Sequence, residues 1–258
     1  MVKRILCILL VVVTVGGMST LLYVSREKYL ESNISGVALH IDRAQERGFV
    51  DYAKTLTLID DICDTATRRK VREIDIDYIV DTIKSNPWVK ECVAKVDMKA
   101  VLRVVVKEHE PHLRLIDKKG VSMYLTSDEV ALPWNSCYTP RLLVVNGNYD
   151  LSEVMPGDKL SDSLAVTKTL REIVTLHDKI LADDFLRVAI EQIYCRKPGY
   201  YELVARCCKP ILIIGDLSDI DEKILKTSEF LRQKIGMEEL AEYKDIDLRF
   251  RRQIICKK

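Results

Sequence analysis

The chain has 258 residues, enough for a membrane anchor and either one large domain or two small ones. Its 40 lysines and arginines balance 39 aspartates and glutamates, for a net charge of +1, which excludes a strong basic field for nucleic acid and an acidic tail. Aromatics are only 7% of residues with no long stretch that alternates them with basic ones, and 10 glycines with 7 prolines leave no material for a long flexible linker.

Residues Ile5 to Val24 form an unbroken apolar run without a charged side chain. At about 1.5 Å per residue such a helix is about 30 Å long, the thickness of a bilayer core. It also lacks the polar face of a helix packed on a soluble domain. The run exceeds the apolar core of a signal peptide, and no A-x-A cleavage site lies near Met18 to Ser25. It therefore reads as a retained transmembrane helix. Lys3 and Arg4 precede it while Arg26 and Lys28 follow it, a slight bias in basic residues. The expected orientation leaves residues 1–4 in the cytoplasm, with a juxtamembrane linker at 25–33 and all else translocated. Gly16, Gly17 and Thr20 either meet another membrane helix or merely interrupt a Leu/Val surface.

Val37 to Ile41 reads as a strand. Asp51 to Ile62 carries Tyr52, Leu56, Ile59 and Ile62 at helical spacing. Asp75 or Asp77 caps a second helix running to Lys84, with Ile79, Val80 and Ile83 inward, and Pro87 ends it. Val93 to Met98 and Val101 to Lys107 are β-rich runs around a turn near Lys99. The order β-α-α-β-β predicts two helices on one face of a three-stranded sheet, with Trp88 in its core and Val101 to Lys107 at an edge.

After Glu110-Pro111 strands and turns dominate. Leu113 to Ile116 and Val121 to Leu125 flank Asp117-Lys118-Lys119-Gly120 as a hairpin. Arg141 to Val145 is a strand ending at Asn146-Gly147. Leu160 to Leu181 repeats as a helix. Phe185 to Cys195, Tyr200 to Cys207 and Pro210 to Ile214 follow as strands. Ser218 caps a helix with the stripe Ile220, Ile224, Thr227, Leu231 and Ile235, closed by Gly236. Tyr243 to Cys256 alternates as one terminal strand. The fold class expected is α+β: a transmembrane helix, a β-α-α-β-β domain, and a mixed β-sheet domain with helices on one face.

Little in this pattern carries chemistry. Besides Cys7 there are seven cysteines (Cys63, Cys92, Cys137, Cys195, Cys207, Cys208, Cys256), with no C-x-x-C and no zinc spacing. An odd number means that at least one is unpaired or pairs between chains, and buried small side chains is the simplest reading. Adjacent Cys207 and Cys208 would point to opposite faces of a strand. The histidines are His40, His109, His112 and His177. The one close pair, His109-x-x-His112, diverges in a strand, so no metal site is expected. No nucleophile elbow, H-E-x-x-H or Gly-rich phosphate loop occurs, and Asp60-Asp61 and Asp183-Asp184 read as solvated charges. No catalytic residue and no cofactor are expected.

Binding is what remains. A terminal strand at a sheet edge takes a partner strand by β-augmentation. Tyr243, Ile246, Leu248, Arg249, Phe250 and Arg251 are the partner-binding residues expected there, with Arg252 extending the basic strip. The plainer alternative has Tyr243 and Phe250 in the core and the arginines as solvated guards against aggregation.

Several stretches together resemble the FtsQ/DivIB family of bacterial cell-division proteins. Ile83-x-x-Asn86-Pro87-Trp88-Val89 resembles a family helix ending in a Pro-Trp-Val segment. The run Val101-Leu102-Arg103-Val104-Val105-Val106-Lys107-Glu108-His109-Glu110-Pro111 is similar to its strand and Glu-x-x-Pro junction. Lys119-Gly120, Tyr124, Leu132-Pro133 and Leu142-Leu143-Val144-Val145-Asn146-Gly147 resemble the hairpin and strand beyond it. Tyr243-Lys244-Asp245-Ile246-Asp247-Leu248-Arg249-Phe250 resembles its terminal strand. The likeness spans nearly the whole chain.

The resemblance implies a POTRA-like domain at 34–108 and a β domain at 109–258 with a C-terminal edge strand. It implies a non-enzymatic, single-pass scaffold of the inner (plasma) membrane, gathered at the mid-cell septum. The implied partners are FtsB/DivIC-like and FtsL-like single-span coiled-coil proteins, through which it helps control septal peptidoglycan synthesis. No nucleic acid and no small-molecule substrate is implied. Arg249 would meet a partner carboxylate, with Phe250 beside it. A POTRA-bearing envelope transport or assembly component and a membrane-tethered cell-wall hydrolase stand as alternatives.

Overall fold

A computed structural model describes residues 2–43, 48–63, 69–136, 138–162, 164–206, 208–234 and 238–258. The chain divides into two compact units, Met1–His109 and Glu110–Lys258.

The first unit begins with helix α1 (Val2–Leu30). It is long and apolar enough to cross a membrane, and its large side chains from Leu9 to Val24 are all exposed. The helix outlasts the apolar run by a further turn and a half. Arg26, Glu27 and Lys28 are good helix formers, and no Gly or Pro follows to stop it, so the first residues expected to be linker are helical. The Tyr29 hydroxyl donates to the carbonyls of Val96 and Asp97 at 3.3 and 3.2 Å. Glu31 receives Lys70 at 2.5 Å and also Arg72.

Strand β1 (Gly36–Asp42), helices α2 (Tyr52–Cys63) and α3 (Ile76–Lys84), and strands β2 (Val89–Val96) and β3 (Val101–Glu108) follow in the expected β-α-α-β-β order. The sheet order is β1-β3-β2, with β1 parallel and β2 antiparallel to β3. The strand at Val101 to Lys107 is thus central and not an edge. The two-helix crossover returns the chain so that β1 and β3 run parallel, and Leu102, Val104 and Val106 on β3 are all fully buried. Asp75, not Asp77, caps α3 by accepting the Tyr78 amide at 2.9 Å. Ile59 and Ile79 fill the core, whereas Tyr52 in the first turn of α2 stays exposed. Trp88 is buried and stacks on Phe49 at 3.5 Å between ring centroids.

The second unit holds β4 (Pro111–Ile116), β5 (Ser122–Thr126), β6 (Ala131–Pro133), β7 (Val144–Gly147), α4 (Thr167–Ala182), α5 (Leu186–Ala189), β8 (Ile190–Lys197), β9 (Tyr200–Ala205), β10 (Ile211–Gly215), α6 (Ile220–Lys234), β11 (Asp245–Asp247) and β12 (Ile255–Lys257). The strands form one nine-stranded sheet, β12-β11-β10-β9-β8-β7-β4-β5-β6. Helices α4 and α6 touch each other and put Leu170, Ile173, Leu176, Ile180, Ile224 and Leu231 into one core with Val145, Ile193, Leu203 and Ile246. This is the mixed sheet with helices on one face that the sequence pattern predicts. Asp117 shapes the β4–β5 hairpin by accepting the amides of Lys119 and Val121, both at 2.8 Å.

Local chemistry moves several boundaries. Residues 186–189 are helical, not extended, because Asp183 accepts the amides of Phe185 and Leu186 at 2.9 Å and caps that turn. Helix α4 starts at Thr167 rather than Leu160, since the Leu160 amide is drawn to the Glu129 carbonyl at 2.9 Å. The Ser218 hydroxyl does not cap α6; it donates to Asp216 at 2.5 Å, and Asp219 precedes the helix. Ile235, Gly236, Cys137 and Cys207 lie outside the described residues. Cys208 follows β9 instead of belonging to it. Cys63, Cys92 and Cys195 are buried, and burial pushes the Cys195 thiol up to about 11.

Gly147 fixes how β7 lies beside β8. Its φ is +142°, and a Cβ there would stand 2.1 Å from the Cys195 carbonyl oxygen, which already accepts the Asn148 amide at 2.7 Å. Gly147→Ala is expected to lose at least about 2 kcal/mol in urea unfolding. Gly36→Ala, with open space around its Cβ, is expected to change stability by less than about 0.5 kcal/mol.

Candidate partner-binding site

The end of the chain is assembled on α6 and β10. The Ile211 amide donates to Lys244 O at 3.0 Å and the Leu248 amide to Ile213 O at 2.9 Å, which lays β11 parallel to β10. Strand β12 then returns antiparallel on the far side of β11. A single strand from Tyr243 to Cys256 therefore does not form. The ladder breaks after Asp247 because the Arg249 amide folds back to Asp247 Oδ1 at 3.2 Å. Lys226 Nζ takes the carbonyls of Leu248 and Phe250 at 2.8 and 2.5 Å, groups that a continuing strand would need for its own pairing.

The six residues expected at the site separate into two groups. Ile246 and Leu248 are fully buried and hold β11 on the core. Tyr243 is half-buried two residues before β11, with Lys258 Nζ 5.8 Å from its ring centroid. Arg249, Phe250 and Arg251 are exposed on the turn between β11 and β12. Arg251 faces the first turn of α6, 3.3 Å from Asp219 and 3.6 Å from Glu222.

Arg249 is the organising side chain of that turn. Its Nε and Nη2 fork onto the two Asp247 oxygens at 2.8 and 2.6 Å. The Asp247 carboxylate is only 1% exposed, against 40% for the Arg249 side chain. The guanidinium lies 5.8 Å from the Tyr200 ring centroid and 5.7 Å from that of Phe250. Gly215, at φ +72°, makes room: a Cβ there would sit 2.8 Å from Arg249 Cδ. The hydrogen bonds from Arg249 hold the Asp247 carboxyl below the usual carboxylate range despite burial.

Asp247, Tyr200, Gly215 and Lys226 were not singled out from sequence. Asp247 had a legible signal, because residues two apart on a strand share a face with Arg249. The other three come from distant segments and carry no local sign.

The two ends of the nine-stranded sheet differ. At β6 the Ala131 amide donates to Asp158 O at 3.0 Å and its carbonyl accepts from Gly157 at 2.7 Å, so a turn covers that edge. At the other end, no described strand lies beyond β12. Lys257 lies on β12 and Arg252 is exposed on the adjoining turn, while Lys258 pairs with Glu242 at 2.6 Å.

An exposed apolar N-terminal helix leading into α+β units defines a single-pass membrane protein. Residues 110–257 match the FtsQ/DivIB, C-terminal related family, and the chain belongs to that family. The match takes in the whole second unit through β12. This is a non-enzymatic scaffold family, with a cell-division role exercised through protein–protein interactions. No curated protein matches the chain.

Removing the fork exposes the cost of a buried carboxylate. Arg249→Ala is expected to lose about 2 kcal/mol, less than the about 3–5 kcal/mol of a fully buried pair because the guanidinium is partly solvated. Since the Asp247 value is depressed on folding, the pair's contribution is present above about pH 4 and fades as the pH falls through the folded value. The melting-temperature gap between wild type and Arg249→Ala should be constant from about pH 5 to 8 and narrow below about pH 4.

Proposed function

We propose that this chain is a platform of the bacterial division complex whose β12 edge and adjoining Arg249–Phe250 turn receive an extended segment of a small single-span partner of the FtsB/DivIC type. An FtsL-type protein joins through that partner, and the assembly helps control septal peptidoglycan synthesis. In this reading residues 1–4 are cytoplasmic. Residues 34–108 form a POTRA domain and 109–258 the β domain, both extracytoplasmic at the plasma (inner) membrane and concentrated at the septum.

The observation that carries the reading is the unequal treatment of the sheet's ends, one covered by a turn and one terminating at β12. An edge strand presents main-chain groups that a further strand can pair with, and β-augmentation uses that geometry for recognition. Phe250, 42% exposed beside the edge, offers an apolar anchor. Lys257 and Arg252 favour an acidic segment. Ile246 and Leu248 support the site from beneath without touching a partner. Tethering both proteins to one membrane raises their effective concentration, so a short strand suffices.

Deleting residues 255–258 from the full-length chain is expected to abolish co-purification of an FtsB/DivIC-type partner from membranes, while circular dichroism still reports a folded protein. Phe250→Ala should weaken capture about tenfold, the scale of one anchor residue. A folded deletion variant that captures the partner as well as wild type overturns the strand-addition reading.

A further inference from the structure

Strand β4 and helix α4 bring together a side-chain cluster that partner capture at β12 does not use. His112 lies on β4, and His177 and Asp178 are consecutive on α4. Their ligand atoms all lie within 4.8 Å of one another. His112 Nε2 is 2.7 Å and His177 Nδ1 is 3.1 Å from the same Asp178 oxygen, Oδ1. The two imidazoles meet edge to face, with centroids 4.3 Å apart.

We infer that His112, His177 and Asp178 form a binding site for a divalent transition-metal ion, zinc by its donor chemistry, which clamps α4 to β4. Two imidazoles and one carboxylate suit Zn²⁺, whereas Mg²⁺ and Ca²⁺ prefer all-oxygen ligand sets. Bonds of about 2.0–2.1 Å at tetrahedral angles place donor atoms about 3.3 Å apart. To admit the ion the 2.7 and 3.1 Å gaps open by about 0.6 and 0.2 Å, while the His112–His177 donor gap, 4.8 Å at most, closes toward the same spacing.

The surroundings support coordination. His177 is 1% exposed, so its ring is fixed. Asp178 and His112 face outward, at 54% and 29% exposure, leaving the fourth position open to a groove of about 680 Å³ lined in part by Leu143, Leu181 and Arg187. Arg141 and Arg206 line the same groove. Arg187 and Arg206 bring their own carboxylates, Asp184 at 3.4 Å and Glu191 at 2.6 Å, which offset two of the three positive charges.

The test uses the full-length chain in detergent, without a histidine tag and stripped with chelator. Titration with Co²⁺ is expected to show one saturable equivalent with the visible absorption of a four-coordinate ion, displaced by Zn²⁺. Zn²⁺ should raise the melting temperature. His112→Gln and Asp178→Asn, both at partly exposed positions and each checked for native circular dichroism, should bind Co²⁺ at least about tenfold more weakly. Arg187→Gln should bind as wild type does. No saturable Co²⁺ binding, a cysteine-thiolate charge-transfer band, or an affinity unmoved by the first two substitutions overturns the site and leaves a hydrogen-bonded His–Asp–His cluster.

Discussion

Every main-chain N–H and C=O in a wide sheet needs a partner, and a sheet that does not close into a barrel must end somewhere. That constraint organises the second unit. Eight strands from β6 to β11 are paired on both sides by neighbours or, at β6, by the turn through Gly157 and Asp158. Strand β12 is the last of the order and only three residues long. Its shortness follows from the break after Asp247, and the break follows from where Arg249 and Lys226 send their donors. The same polar contacts that stop β11 thus produce both the exposed turn and the short edge beside it.

The Asp247–Arg249 pair sets the character of that end. A carboxylate at 1% exposure persists only when charge-assisted hydrogen bonds replace its water. Arg249 supplies two of them and is itself held between Tyr200 and Phe250, with Gly215 clearing space beneath. The turn is consequently a fixed surface and not a loose tail. A preformed surface loses less conformational freedom on binding, which favours recognition by a short segment. The Arg249 fork engages a carboxylate within the chain, and the side chain remains 40% exposed beside it.

Much of the fold was legible along the chain. Helix α1 follows from a long charge-free apolar run, and the β-α-α-β-β order follows from periodicity together with Asp75 and Pro87 as boundary signals. Trp88 belongs to the core as expected. The partner-binding candidates were only half legible. Alternation from Tyr243 to Cys256 set Ile246 and Leu248 among the partner-binding residues, yet both are buried, and it extended the strand through Arg249 and Phe250, where Lys226 of α6 interrupts it. His109 and His112 are close in sequence, but no local pattern sets His177 beside His112.

The sequence by itself determined the class of each element, the membrane helix and the inward residues, because these depend on interactions a few residues apart and on the partition of apolar side chains from water. Tertiary structure alone decided that β3 is central, that the sheet ends at β12 with no described strand beyond it, and that Tyr200 and Gly215 lie against Arg249. It alone brought His112 to His177 and Asp178. Those outcomes depend on which strands pair and on contacts between residues tens of positions apart, and neither a local period nor a local propensity records them.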